Sequence, residues 1–251
     1  MVNEALKNRE AFTIRERILA ENGKGNMVAR RLIWLLGQVD LSEVTQILDI
    51  GSRDIGQSIE FANIFQHARV DAFEPAPASY HVCLQRLKDL DSHLKDRIRV
   101  HNVTLSDSKG EIPFYAVNPA LSSYPNVGAS SMFRFKENLN GPLFGYKLVQ
   151  DEIKVQATTL DGWCKENNVR AADMIWMDVQ GAELLVLRGA TETLRNTKVI
   201  LTEVGLKPYY EGHTLKADID ALLFAQGFKE LKNAFELNGF DYEANAIYIK
   251  S

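Results

Sequence analysis

Ile47-Leu48-Asp49-Ile50-Gly51 is a short apolar run that ends at a glycine, and a second run, residues 69–73, continues into Glu74-Pro75. A glycine directly after a buried strand lets the backbone turn tightly and approach a ligand without interference from a Cβ atom. Glu74 follows Gly51 at a spacing close to the roughly 20 residues at which an acidic residue meets a ribose in a strand–helix–strand unit. The stretch therefore predicts two parallel strands and an adenosine-containing cofactor.

The turn after the first run reads Gly51-Ser52-Arg53-Asp54-Ile55-Gly56. It differs from the Gly-x-Gly-x-x-Gly fingerprint of dinucleotide-binding proteins, because Arg53 stands at the second glycine position and the third glycine is displaced. A pyrophosphate cradle is therefore disfavoured. An ordinary parallel strand pair with a turn glycine and a helix-capping acid is the simpler alternative.

The composition is that of one globular α/β domain, with or without a small extension. The chain has 251 residues, of which 45% are hydrophobic and 25% charged, and its net charge is −4. This charge provides no basic surface for nucleic acid or an anionic membrane. The first residues lack the apolar core of a signal peptide, and no stretch approaches the ~18 apolar residues of a membrane span. We therefore expect a soluble cytoplasmic protein without nucleic-acid partners or a membrane span.

Two regions of different pattern follow one another along the chain. Residues 4–22 and 26–38 have helical periodicity and predict an N-terminal helical extension over residues 1–44. From residue 46 onward, short apolar runs alternate with amphipathic stretches, which predicts a mostly parallel sheet with helices on both faces. Residues 45–251 are expected to form this domain.

The alternation is interrupted once and ends in a different way. Residues 111–158 are rich in Asn, Pro, Ser and Gly, and we expect a strand pair near 112–117 and 151–157 with an inserted lid at about 118–150 over the cofactor. Residues 227–231 and 245–249 flank the turn-rich Asn238-Gly239-Phe240 without room for a helix, which predicts a C-terminal antiparallel hairpin.

A third strand end belongs to the same predicted rim. Residues 174–179 form a buried run that reaches Asp178 and passes through Gly181 into a helix. Ligands of open parallel sheets bind outside the carboxyl ends of the strands, so Asp178 is expected beside Gly51 and Glu74. Capping of the following helix is the simpler role for this aspartate.

These segments resemble the FkbM-type methyltransferase family. The matching elements are Asp178-Val179-Gln180-Gly181-Ala182-Glu183 with Leu187-Arg188-Gly189-Ala190, Phe73-Glu74-Pro75-Ala76-Pro77, Leu105-Ser106-Asp107 and Thr159-Leu160-Asp161. The resemblance implies a Rossmann-like class I methyltransferase fold, with a seven-stranded mostly parallel sheet and a C-terminal antiparallel hairpin. It also implies S-adenosylmethionine as cofactor and methyl transfer, in this family most often to a hydroxyl of a sugar or polyketide-like product.

The resemblance also implies where the cofactor binds. Asp49 and Gly51 would flank its methionine portion, Glu74 would hold the ribose hydroxyls, and the 104–107 turn would border the adenine. Further cofactor contacts are expected from Ser52, Arg53, Pro75, Thr104, Leu105, Asp107 and Asp178. Arg53 is either a cation for the cofactor's carboxylate or a solvated loop residue.

Three departures from the family pattern stand out. The usual Gly-Ala-Asn-x-Gly turn is one residue longer here, Met177 replaces a lysine, and Gln180 replaces a glutamate. These changes leave the expected adenosine contacts intact. They motivate one alternative, a catalytically inactive module that binds S-adenosylmethionine. An NAD(P)-dependent oxidoreductase is the other alternative.

Methyl transfer to an alcohol needs a base or a metal ion to manage the acceptor proton. His213 is the predicted base, because it lies in the loop after a strand end and titrates near neutrality. Asp178 and Glu203 end neighbouring strands and would be either a base with its orienting partner or two oxygen ligands for a divalent cation.

The resemblance implies a small-molecule acceptor, and we expect a sugar, sugar nucleotide or glycan intermediate. In the lid, the predicted contacts to a polyol or phosphate are Ser130, Ser131, Arg134, Tyr146 and Lys147. A homo-oligomer is compatible with the sequence.

Overall fold

The computed structural model describes residues 2–137, 147–237 and 241–251, with side chains from residue 13 onward. Its strands, in chain order, are β1 (Gln46–Ile50), β2 (Arg69–Phe73), β3 (Ile98–His101), β4 (Thr104–Leu105), β5 (Gly110–Val117), β6 (Gln150–Thr158), β7 (Met174–Met177), β8 (Val199–Gly205), β9 (Phe228–Glu230), β10 (Glu236–Leu237) and β11 (Glu243–Lys250). Eight of them form the central sheet, in the order β10-β11-β8-β7-β1-β2-β3 with β9 also paired to β11.

The order in which the chain adds strands to the sheet reverses between β1 and β7. From β1, the strands β2 and β3 are added on one side of the sheet and β7 and β8 on the other. All these neighbours pair in parallel. A ligand crevice forms outside the carboxyl ends of parallel strands at such a reversal. The fold therefore places the ends of β1, β2 and β7 around one crevice.

Helices cover both faces of the sheet. They are α1 (Val2–Gly23), α2 (Met27–Leu32), α3 (Gly56–Ile64), α4 (Pro77–Asp89), α5 (Ser92–Lys95), α6 (Leu160–Glu166), α7 (Glu183–Arg188), α8 (Thr193–Asn196) and α9 (Lys216–Ala225). Adjacent strand residues point to opposite faces, so Ile47 packs in the core under α1, α2 and α3, whereas Leu48 packs in the core under α6, α7 and α9. None of the helices in the described part of the chain is both long and apolar enough to cross a membrane.

The N-terminal helices share the core of the sheet. Ile18, Leu32 and Leu35 are fully buried in the same apolar cluster as Ile47. The helix predicted over residues 26–38 is shorter, because α2 ends at Leu32 and continues as one 3₁₀ turn, Ile33–Leu35. Gly37 follows with φ +79°, a backbone conformation that cannot continue a right-handed helix.

Strands β5 and β6 flank residues 118–149, here called the insertion. Together with β4 they form a second, smaller sheet in the order β4-β6-β5. Its β5 and β6 pair antiparallel, as expected for residues near 112–117 and 151–157. Strand β3 of the central sheet ends at His101. Asn102 turns its side-chain amide back onto the carbonyls of Glu74 and Pro75, and the chain then enters the smaller sheet as β4.

The C-terminal hairpin is confirmed. Strand β9 pairs antiparallel with β11, which in turn pairs antiparallel with β8. The described chain contains eight strands in the central sheet rather than seven because the short β10 also pairs with β11. The turn expected at 238–240 lies outside the described residues.

Candidate active site

The turn after β1 is packed against the end of β7. Gly51 has φ +85°, and a Cβ atom at this position would lie 1.9 Å from the carbonyl oxygen of Asp178. Only glycine fits both constraints. The amides of Gly51 and Ser52 both donate to the carbonyl of Phe73, at 3.1 and 3.0 Å, so the turn is fixed to the ends of β2 and β7 at once.

The turn after β1 presents a backbone donor to Glu74. Arg53 and Ile55 both adopt left-handed backbone conformations, with φ +52° and +56°. The Arg53 amide donates to Glu74 Oε2 at 2.9 Å, and the Ala76 amide donates to Oε1 at 2.8 Å. The carboxylate is thereby held in one orientation. Burial raises the pKa of Glu74 to about 7, although these two hydrogen bonds oppose the shift.

A cleft opens between the strand ends and the insertion. The structure brings together at its wall the predicted Gly51, Arg53, Glu74 and Asp178. Its other lining residues are mostly apolar and include Ile50, Phe73, Pro75, Val103, Thr104, Leu105, Phe114, Met132, Trp176 and Val179.

The lining fits an adenosine-containing cofactor. Glu74 is a fixed carboxylate able to accept hydrogen bonds from a ribose diol. Pro75, Val103 and Leu105 supply an apolar wall next to it for a base. Gly51 lines the cleft as well, at the place where the missing Cβ lets the Asp178 carbonyl pack directly against the turn.

Three residues expected at the cofactor do not line the cleft. Asp49 is fully buried behind the turn, where the Ser58 hydroxyl donates to Asp49 Oδ2 at 2.5 Å. Burial raises the pKa of Asp49 to about 6. Ser52 is also fully buried, and Asp107 is exposed to solvent outside the cleft. Asp49 and Ser52 therefore support the turn from behind in this structure, and the turn containing Asp107 contributes Thr104 and Leu105 instead.

Gln180 connects the two strand-end carboxylates. Its side-chain amide donates to Asp178 Oδ1 at 2.7 Å and to Glu203 Oε2 at 2.8 Å. The hydroxyl of Tyr210 lies 3.0 Å from Gln180 Oε1. Burial is the largest cause that raises the pKa of Asp178 and of Glu203, and the proximity of Glu243 raises both further. Sequence reasoning treated Gln180 only as a departure from the family pattern.

The backbone around Gln180 is strained and tightly held. Gln180 has φ +54°, which is rare for a residue with a side chain. Ser131 Oγ donates to the Gln180 carbonyl at 2.8 Å. Glu183 Oε1 accepts from the amides of Val179 and Gly181, both at 3.2 Å. The segment after β7 is therefore fixed from the insertion and from α7 together.

His213 does not line the cleft. Its ring lies over two glycines, since a Cβ at Gly205 would be 2.2 Å from Nε2 and one at Gly181 would be 2.8 Å from Cδ2. Nδ1 accepts from the Tyr209 amide at 3.4 Å. Burial, with the nearby charge of Lys136, lowers the pKa of His213 to about 4. This packing gives no support to the expectation that His213 is the base.

The insertion forms one wall of the cleft through the 3₁₀ turn Val127–Ala129. A Cβ at Gly128 would lie 3.3 Å from Arg53 Cδ. Ser130 lines the cleft, but its hydroxyl donates to the Val127 carbonyl, and Ser131 is buried against Gln180.

The polar contacts expected from the rest of the insertion are not formed toward the cleft. Arg134 pairs with Glu152 at 2.8 Å and stacks over Tyr115. The Lys147 backbone joins the insertion to Ser123, and Tyr146 lies outside the described residues. No group of three or more His, Cys, Asp or Glu side chains within the described ranges is arranged to hold a metal ion.

A central parallel sheet with an antiparallel end strand, and a cleft bearing a fixed carboxylate at the reversal point, define a class I methyltransferase. The chain belongs to the FkbM methyltransferase family, because the model for the methyltransferase FkbM domain matches residues 49–230. This family uses S-adenosylmethionine, so the cofactor expectation is confirmed and the oxidoreductase alternative is wrong.

Named relatives are consistent with this assignment. The 2-O-methyltransferase NoeI of Sinorhizobium fredii (strain NBRC 101917 / NGR234) is 33% identical over 196 residues, which are 78% of this chain and 76% of NoeI. Methyltransferase sdnD of Sordaria araneosa is 27% identical over 205 residues, 72% of this chain and 73% of that protein. The crystal structure of the FkbM methyltransferase from Methylobacillus flagellatus KT has a TM-score of 0.53 at 14% identity, covering 82% of this chain and 43% of that one.

Proposed function

We propose that the protein transfers the methyl group of S-adenosylmethionine to a hydroxyl of a small molecule, with a carbohydrate as the acceptor class. The observation that carries the proposal is the half-buried Asp178 carboxylate at the wall of the cofactor cleft, whose pKa is raised by desolvation. It is supported by the 33% identity to NoeI, a 2-O-methyltransferase. Transfer to oxygen requires removal of a proton, and a carboxylate of raised pKa is suited to take it.

In this proposal the cofactor spans the cleft from β2 to β7. Glu74 accepts hydrogen bonds from the ribose hydroxyls, while Pro75, Val103 and Leu105 contact the adenine. Gly51 and Trp176 border the methionine portion. When bound, the cofactor supplies an electrophilic methyl group, and the residues of this chain have to orient the acceptor and hold its proton.

Asp178 is the base in this proposal, and Glu203 acts through Gln180 as its positioning partner. Of the three predicted catalytic residues, Asp178 alone lines the cleft. Its Oδ1 is occupied by the Gln180 amide, which orients the carboxylate. Burial disfavours its ionised form and makes it a stronger base than an ordinary aspartate.

The test is methyl transfer from labelled S-adenosylmethionine to a panel of free sugars, sugar nucleotides and lipid-free glycans, with the position of the methyl group determined by NMR. We expect an O-methyl product, and loss of about a hundredfold or more in kcat for Asp178→Asn with a nearly unchanged dissociation constant for S-adenosylhomocysteine. A product methylated on nitrogen or carbon would contradict the proposal.

Two further measurements test whether a metal ion takes part and whether the protein is an inactive binding module. Activity that survives a chelator removes a divalent cation from the mechanism. Tight binding of S-adenosylhomocysteine without transfer to any hydroxyl in the panel favours the inactive binding module. Glu74→Gln is the matched control for loss of cofactor binding, because it keeps the size of the side chain and removes its charge.

A further inference from the structure

Arg31 in α2 is a buried arginine whose Nε–H has no hydrogen-bonding partner among the described residues. The residue is 8% exposed. The Nε atom is enclosed by the protein. The guanidinium carbon lies 5.0 Å above the centre of the Trp176 ring. A cation–π contact offsets part of the cost of burial but leaves the Nε–H donor unused.

Arg97, by contrast, is a partly buried arginine with a structural role. Arg97 donates to the carbonyls of Ala62, Phe65 and Ala68 at 2.8 to 3.2 Å. Its guanidinium joins α3 to the chain before β2, and its N–H donors are engaged in these hydrogen bonds. Arg31 has no such role, and unsatisfied buried donors are costly to a folded protein.

Arg31 lies over Trp176 in β7, the strand that ends just before the proposed base. The charged groups that act on it are Glu236, Asp178, Arg30 and Glu203. One of these acids, Glu236, already pairs with Arg30 at 3.3 Å. Asp178 and Glu203 accept from Gln180. Trp176, under the guanidinium, also lines the cofactor cleft.

We propose that Arg31 binds an oxyanion, a phosphate or carboxylate group, of a molecule held at the Trp176 end of the cleft. A planar guanidinium whose Nε–H is free matches the geometry of such groups. Arg31 does not itself line the cofactor cleft, and this position beyond Trp176 favours the acceptor over the cofactor's own carboxylate as the source. The inference rests on the proposed methyl transfer and adds an anionic group to the acceptor class.

The experiment uses the full chain and three probes, S-adenosylhomocysteine, 5′-methylthioadenosine and inorganic phosphate. 5′-Methylthioadenosine keeps the adenosine but lacks the amino-acid end. Arg31→Met keeps an apolar side chain over Trp176 and removes the donors, and Arg31→Lys keeps the charge. Arg30→Met is the matched control, because this exposed neighbour pairs with Glu236. Thermal unfolding of each variant shows whether it folds.

For an acceptor oxyanion, wild-type protein saturated with S-adenosylhomocysteine binds inorganic phosphate in calorimetry. Arg31→Met then weakens phosphate binding by about tenfold or more, and Arg30→Met does not. For the cofactor's carboxylate, Arg31→Met instead weakens S-adenosylhomocysteine by a similar factor and leaves 5′-methylthioadenosine unchanged.

The inference is overturned if none of the three probes distinguishes folded Arg31→Met or Arg31→Lys from wild type. Failure of the underlying methyltransferase proposal looks different, because wild-type protein would then bind neither S-adenosylhomocysteine nor 5′-methylthioadenosine. Failure of the Arg31 inference is seen in the Arg31 variants, and failure of the methyltransferase proposal is seen in the wild-type protein, within the same set of titrations.

Discussion

The Cβ position of residue 51 is occupied, at 1.9 Å, by the carbonyl oxygen of Asp178. Two strand ends that supply the proposed cofactor contact and the proposed base are thus in direct backbone contact. The amide of Asp178 donates to the carbonyl of Ile50 at 2.9 Å, which continues the strand pairing up to this point. Any change at Gly51 is therefore expected to move Asp178 as well.

Gly51→Ala should destabilise the protein by roughly 2–5 kcal/mol, because alanine adds both a steric overlap and an unfavourable positive φ. Chemical denaturation measures this change, and calorimetry should show loss of S-adenosylhomocysteine binding. Gly56→Ala is the control, since its Cβ would approach nothing closer than Asp54 Oδ1 at 3.1 Å. Equal stability of the two variants would contradict the packing argument.

Cofactor affinity should fall as pH falls through about 7. Burial raises the pKa of Glu74 to about 7. The ionised carboxylate accepts hydrogen bonds from a ribose diol, so protonation of Glu74 at lower pH competes with cofactor binding. Well below this pKa the dissociation constant of S-adenosylhomocysteine should rise by about tenfold per pH unit. Glu74→Gln should bind weakly with no such slope. The same slope in both proteins would show that another group titrates.

Gln180→Glu should move the acid limb of the pH dependence of kcat upward by about one unit or more. A third carboxylate between Asp178 and Glu203 raises the pH needed to ionise Asp178, because like charges oppose each other. At neutral pH a smaller fraction of Asp178 is then ionised and able to act as the base. Gln180→Met serves as a comparison, since it removes both hydrogen bonds without adding charge. An unchanged acid limb in Gln180→Glu would remove Asp178 as the base.

His213→Asn should retain methyl transfer within about threefold, because the His213 ring does not line the cleft and its pKa of about 4 makes it a weak base. The asparagine oxygen can still accept from the Tyr209 amide. Asp178→Asn, measured beside it, should lose activity by about a hundredfold or more. Comparable losses in the two variants would restore His213 as the base.

The strand ends were predictable because they depend on a pattern that the chain carries locally. Parallel strands bring their carboxyl ends to one rim, so Gly51, Glu74 and Asp178 could be grouped from their positions after apolar runs. The family motif fixed the cofactor. The direction of each side chain was not accessible in this way, and Asp49 and Ser52 turned out to lie behind the turn.

Features that depend on tertiary packing escaped prediction. His213 looked like a free loop histidine, but the absence of side chains at Gly181 and Gly205 leaves space that its ring fills. The bridging role of Gln180 depends on a left-handed backbone at a residue with no glycine signal. Arg31 lies in a helix assigned only to an extension, and its proximity to Trp176 arises when α2 packs on the sheet.

The insertion and the loop after β8 are joined like a strand pair. The Lys136 amide donates to the Tyr209 carbonyl, the Glu211 amide donates to the Arg134 carbonyl, and the Tyr210 hydroxyl lies 2.9 Å from the Ala129 carbonyl. The wall of the cleft and the segment carrying His213 consequently cannot separate without breaking these bonds. In hydrogen exchange, the amides of Lys136 and Glu211 should therefore open together, as one cooperative unit whose protection rises when the cofactor binds.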